Sequence, residues 1–355
     1  MNNFKKIGLT ALAGSLVATS VYAGEMSVAG SASWRISNHA GTEGGKTMAM
    51  GNQLTFTGGG EMDNGMNVAL SFILDQGDNT VDTETSVTTA PTGGPFDSHS
   101  ITVSSDAMGA ITFAGEGASS AQNTIDTTAA GDIWDNTFAS YTKPGNASAG
   151  TKTLLWALPS MVDGLGVTTS YTGSGTDAEA TIGYALTYTG VEGLSVSYGA
   201  GEVAGNTAGT TGADVTTMKA SFAFGPVTAA MSINDYDITG ENNEEQSSYK
   251  ISYTVTDELS ISYGSETHET VTQATDEEFD QISVSYTTGG LTASVSQTSA
   301  ENVTGATNTD QQKWNVGQSN VLRHSQHSLI HGLLMFEVLE FLRCAQALRR
   351  QSCAL

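Results

Sequence analysis

The sequence predicts an all-β protein, a transmembrane antiparallel β-barrel of about 16 strands with short periplasmic turns at one end and long external loops at the other. Three observations predict it. Apolar and polar residues alternate with period two along the body of the chain, tight turns alternate with long polar segments, and tyrosines recur at both ends of the apolar faces. Period two is the spacing that sends successive side chains to opposite faces of a strand.

The chain opens "MNNFKKIGLTALAGSLVATSVYAGEM", with Lys5 and Lys6 before an apolar run and small residues at Val21 and Ala23. This is the layout of a secretory signal peptide, residues 1–23, cleaved after Ala23. Residues 7–20 are too few for a spanning helix, which takes about 20. No later stretch reaches that length, so any membrane passage must use strands. Both cysteines, Cys344 and Cys353, lie near the end. The exported body therefore has no disulfide framework.

The first strand reads from "MSVAGSASWRIS", with Met26, Val28, Trp34 and Ile36 on one face and Ser31, Ser33, Arg35 and Ser37 on the other. The same alternation recurs at Met66 to Phe72, Ile182 to Tyr188, Leu194 to Tyr198, Tyr249 to Tyr253 and Ile282 to Tyr286. Seven tight connections follow one another: "DNGM" at 63, "DAMG" at 106, "VDGLG" at 162, "VEGL" at 191, "FGPV" at 224, "TDEL" at 256 and "TGGL" at 288. Their Gly, Asp and Pro content suits short hairpins. Between them lie polar segments near 38–51, 75–97, 115–136, 173–179, 200–213, 237–246, 265–278 and 299–312. Seven hairpins, a first strand and a closing one make 16 strands; a hairpin hidden in residues 137–158 would make 18.

A soluble β protein also alternates, and a secreted β-rich surface or adhesion protein is the alternative reading. Tyr171, Tyr198 and Tyr263 at the loop end and Tyr188, Tyr253 and Tyr286 at the turn end form two aromatic girdles, one for each membrane interface. The polar face is mostly Ser, Thr and Gly, unlike the mixed charge of a solvated surface. The alternative also lacks the GGxGxD calcium repeat.

Residues 24–316 hold 35 of the 37 acids and 7 of the 13 bases, a balance of -28 that the overall -24 understates. Nucleic acid is excluded as a partner, and cations or divalent-bridged lipid headgroups are favoured. Catalysis finds no support: His39, His99 and His268 read as solvated loop residues, without GxSxG or HExxH around them. "AGTEGGKT" (40–47) lacks the first Gly of a phosphate loop and "GAGEVAG" (199–205) lacks a following helix, so both read as flexible loops. No catalytic residue, metal ligand or cofactor is assigned. The acidic stretches "DQGDNTVDTE" (75–84) and "NDYDITGENNEEQ" (234–246) offer carboxylates for weak Ca²⁺ or Mg²⁺ binding without EF-hand spacing.

With "VYAGEMSVAGSASWRIS", "VDGLGVTTSYTG" and "VEGLSVSYGAG" and this strand count, residues 1–316 resemble the general diffusion porins of Gram-negative bacteria, especially the α-proteobacterial type. The resemblance implies a passive water-filled channel in the outer membrane for small hydrophilic solutes, in contact with outer-membrane lipid and lipopolysaccharide, and commonly a homotrimer. It also implies that the third long loop, about 115–136, folds inward and narrows the pore. That segment carries Glu116, Asp126, Asp132 and Asp135, and the polar phase of the strands carries Arg35, Lys219 and Lys250. Loop acids opposite wall cations would set a transverse field, and the acidic body would favour cations.

In such proteins the last strand ends the chain, usually on an aromatic residue. Here Trp314 and Val316 fit a lipid-facing phase, but Gln318 and Asn320 follow, and beyond them no Thr occurs while His324, His327 and His331 cluster. The barrel is accordingly expected to span 24–316. Residues 317–355 are expected to be a tail read in a shifted frame, leaving the closing strand truncated and the fold impaired. Leu329, Leu333, Phe336, Leu339 and Leu342 would alternatively make one helical face.

Overall fold

The computed structural model describes residues 25–40, 45–75, 98–116, 119–131, 133, 147, 152–173, 180–203, 212–238, 243–271, 273–305 and 309–322. Within them lie β1 (Glu25–Ala40), β2 (Gly45–Glu61), β3 (Asn67–Asp75), β4 (Ser98–Ser105), β5 (Gly109–Glu116), β6 (Thr153–Ala157), β7 (Leu165–Thr172) and β8 (Thr181–Tyr188). They continue as β9 (Leu194–Val203), β10 (Ala213–Phe224), β11 (Val227–Ile238), β12 (Glu244–Thr254), β13 (Leu259–Thr270), β14 (Glu277–Thr288), β15 (Leu291–Glu301) and β16 (Gln311–Leu322). Each strand pairs antiparallel with its chain neighbours, and β1 pairs with β16 to close the barrel. Closure gives each described strand a hydrogen-bonded neighbour on both sides, which is what hydrocarbon surroundings demand of a backbone.

All seven tight connections fall where the turn chemistry puts them. At Gly164 and Gly193 the backbone takes φ of 76° and 77°, and a Cβ there would lie 2.4 Å from Gly190 N and Ala223 O respectively. Only glycine fits such a corner.

Apolar side chains point outward, the reverse of a soluble core. Met218, Phe222 and Ile251 are 54%, 46% and 51% exposed, a band that water would not tolerate and lipid would. The six girdle tyrosines all lie on this outward phase. Tyr188, Tyr253 and Tyr286 sit at the turn ends of their strands, but Tyr198 and Tyr263 are each the fifth residue from the turn end of β9 and β13. Those strands run on past the apolar band, with Glu202 and Glu269 on the same outward phase.

Several segments read as loops are strand. β1 and β2 leave only residues 41–44 between them, so Gly45, Lys46 and Thr47 start a strand, and Gly199–Val203 belong to β9. Most of 234–246 lies in β11 and β12, and 265–270 completes β13. These parts extend beyond the apolar band, where polar residues occupy both faces and alternation no longer marks a strand.

The closing strand is also longer than its alternation suggests. Gly317–Leu322 pair with Arg35–Gly30 of β1, and Gly317–Asn320 pair with Ser294–Leu291 of β15. The barrel boundary at 316 and the half-missing strand are thus corrected, because ladder hydrogen bonds come from backbone groups whatever the side chains. The signal peptide and residues 323–355 lie outside the described residues.

Candidate pore constriction

After β5 the chain turns into the barrel instead of crossing its rim. Residues 119–131 lie against the lumen wall of β7 to β14, and Ala121, Gln122, Ile125, Thr128, Ala129 and Ala130 are buried there. The wall is shaped to receive them. Gly183, Gly199 and Gly264 face the lumen, and a Cβ at these positions would come within 3.0–3.2 Å of Ala121 N, Gln122 Cα and Ala130 Cβ respectively. Lumen-phase positions without a side chain on β8, β9 and β13 make a trough that a loop can fill.

Strand register then aligns two rows of polar groups across that wall. Lys219, Ser232, Ser248 and Glu266 form one row across β10 to β13. The segment reads this row almost residue by residue. Lys219 Nζ donates to Asp126 Oδ2 at 2.7 Å and to Thr128 O at 2.7 Å. Ser232 Oγ donates to Thr127 O at 2.9 Å, Ala129 N donates to Ser248 Oγ at 2.7 Å, and Thr128 Oγ1 donates to Glu266 Oε1. Lys250 Nζ, one row below, reaches Ala130 O at 3.4 Å. Ile133 pegs the end of the described run into a small apolar cluster with Ala130, Phe279, Ala300 and Val303.

The second row is Thr217, Asn234, Gln246, His268 and Glu277. His268, read from sequence as a solvated loop residue, is 3% exposed, with Nε2 3.8 Å from Glu244 Oε2 and Nδ1 3.8 Å from Glu277 Oε2. Both it and Glu266 escaped sequence reading because "SETHET" looks like loop, while its lumen phase continues from Ser262 and Gly264. Gln122 escaped because a neutral residue in a polar run carries no signal at all.

Of the seven residues expected at the constriction, Asp126, Lys219 and Lys250 come together. Asp126 does not face Lys219 across open lumen; the two are in contact, so their charges cancel locally and add little to a transverse field. Arg35 is on the lumen phase of β1, away from this segment's wall contacts and with partners of its own. Asp132, Asp135 and the side chain of Glu116 lie outside the described residues. Most of "DQGDNTVDTE" does too.

Outward acids explain much of the body's charge. Glu202, Asp214, Asp235, Asp237, Glu245, Glu269, Glu278, Asp280 and Glu301 occupy the outward phase near the loop ends of β9 to β15. They do not line the lumen, which reads differently from a simple balance of -28. Tyr263 Oη donates to Asp280 Oδ1 at 2.7 Å, joining the upper tyrosine level to this acidic one.

A sequence model for Gram-negative porins matches residues 8–319. Among solved structures, the anion-selective porin of Comamonas acidovorans superposes with a TM-score of 0.67 at 12% identity, covering 84% of this chain and 100% of that one. The outer-membrane-expressed OmpT of Vibrio cholerae gives 0.59 at 12%, covering 86% and 99%. A mutant of the Rh. blastica porin gives 0.61 at 12%, covering 84% and 100%. No curated protein sequence matches. The closed 16-strand barrel, its outward apolar band and the family match across most of its length make this chain a member of the Gram-negative porin family, a non-enzymatic channel protein of the outer membrane.

Proposed function

We propose that the protein is a passive diffusion channel for small hydrophilic solutes with a preference for cations, narrowed by the inward segment that begins after Glu116. The observation that carries this reading is the hydrogen-bonded seating of residues 126–130 on the lumen row Lys219 to Glu266. A segment held by so many bonds to the wall narrows the lumen permanently and leaves a fixed aperture beside it. Cation preference follows from the acids at the outer mouth, which raise the local concentration of cations there, and from the lumen acids Glu244, Glu266 and Glu277. Weak Ca²⁺ or Mg²⁺ association with the acidic rim and with lipopolysaccharide fits the same charge. A homotrimer is supported by asymmetry of the outer face: no acid with a described side chain lies on the outward phase of β1 to β8, whereas β9 to β15 carry the acidic belt. The acid-free side, whose outward phase carries Lys46 near the loop end of β2, suits packing against further copies.

Reversal potentials in a KCl gradient test the charge reading. Asp126→Asn leaves Lys219 without its counter-charge and should reduce cation preference; Lys219→Met leaves Asp126 and should increase it. Identical potentials in both variants and the parent would refute the placement of this pair on the ion path.

A further inference from the structure

Gln122 is fully buried although the segment that bears it runs through the lumen. Its side-chain amide is satisfied at both ends by different parts of the molecule. Nε2 donates to Thr217 Oγ1 on β10 at 2.7 Å, and Oε1 accepts from the backbone N–H of Ala147 at 2.8 Å. Having accepted, the Thr217 hydroxyl donates to Asn234 Oδ1 on β11 at 2.6 Å. One side chain thus ties the inward segment to Ala147 and, through Thr217 and Asn234, to two wall strands. The backbone fit is equally close. A Cβ at Gly199 would lie 3.2 Å from Gln122 Cα and Gln122 O, and one at Gly201 would lie 2.7 Å from Ala147 Cβ.

We infer that Gln122 is a positioning residue, the clasp that holds the inward segment against the wall and so fixes the open aperture. The inference rests on the reading that this segment narrows the pore. Asp126 and Lys219 are half and a quarter exposed, so water competes for their bond. The Gln122 relay is buried, where an unmade bond leaves donors and acceptors with no substitute. Cutting the relay leaves in place the contacts of residues 126–130 and, upstream, the bond from Ala121 N–H to Ser170 Oγ at 2.7 Å. The 3₁₀ turn Gln122–Thr124 between these anchors loosens from the wall, and the channel flickers while the barrel stays intact.

The experiment records voltage-driven closure of single channels of the full chain in planar bilayers, for Gln122→Leu, Thr217→Val and Thr217→Ser. Leu fills the volume of Gln without its bonds, and Val keeps the shape of Thr without its hydroxyl. Both should raise the closure rate at a fixed voltage by about tenfold, with the heat-resistant barrel band on gels unchanged. Ser restores the hydroxyl and should behave as the parent. Quiet channels in both Gln122→Leu and Thr217→Val would overturn the clasp; if Gln122→Leu fails to assemble, Thr217→Val decides. A reversal potential unmoved by Asp126→Asn would instead remove the constriction reading, and the clasp with it.

Discussion

Lys219 is where strand phase, charge and loop geometry meet. Its side of β10 was legible from alternation alone, because Met218, Ala220 and Phe222 take the other phase. Its partner was not, since nothing in a polar run tells which carboxylate bends back to the wall. Glycine carries the complementary information. Gly183, Gly199, Gly201 and Gly264 interrupt the lumen phase at the places where the segment lies, a signal present in the sequence but indistinguishable there from strand weakening. The seating predicts graded effects at Gly199, where a Cβ meets Ile125 Cδ1 at 3.1 Å. Gly199→Ala should be tolerated with small adjustment. Gly199→Leu overpacks the trough at a cost of roughly 1–3 kcal/mol and should push the 3₁₀ turn Gln122–Thr124 off the wall toward the pore axis. Single-channel conductance should then fall, and an unchanged conductance in Gly199→Leu would contradict the seating.

Turns and strands differ in how much of them the sequence shows. Tight turns are local chemistry, so all seven could be read from Gly, Asp and Pro. Strand ends near the long loops are not local. Once a strand rises past the apolar band both faces become polar, and only pairing with a neighbour keeps it extended, as in Ser265–Thr270 of β13 and Glu244–Gln246 of β12. There the register sets like charges directly opposite one another: Glu202 faces Asp214, Asp214 faces Asp237, and Glu245 faces both Asp235 and Glu269. Opposed like charges destabilise a sheet by roughly 0.2–1 kcal/mol per pair. Glu245→Gln removes two such oppositions, so it should raise the thermal midpoint in low salt, and the gain should shrink as salt screens the neighbours. A midpoint that falls in low salt would mean that the carboxylate holds a favourable contact instead.

At the scale of the whole molecule, fold class and strand number were legible because a barrel repeats one signal many times. Its closure was not, because the lipid-facing alternation that marks Trp314 and Val316 stops at Gln318, while the backbone pairs on through Leu322. Since β16 already pairs with β1 through Leu322 and with β15 through Asn320, a chain truncated after Leu322 is predicted to give channels of the parent's conductance; loss of assembly on truncation would assign residues 323–355 a part in building the barrel. The central claim concerns the channel itself. Protein purified from outer membranes and added to a planar bilayer under a KCl gradient should give large, stable conductance steps with a cation-selective reversal potential. Folded barrel that inserts but conducts no ions would contradict it.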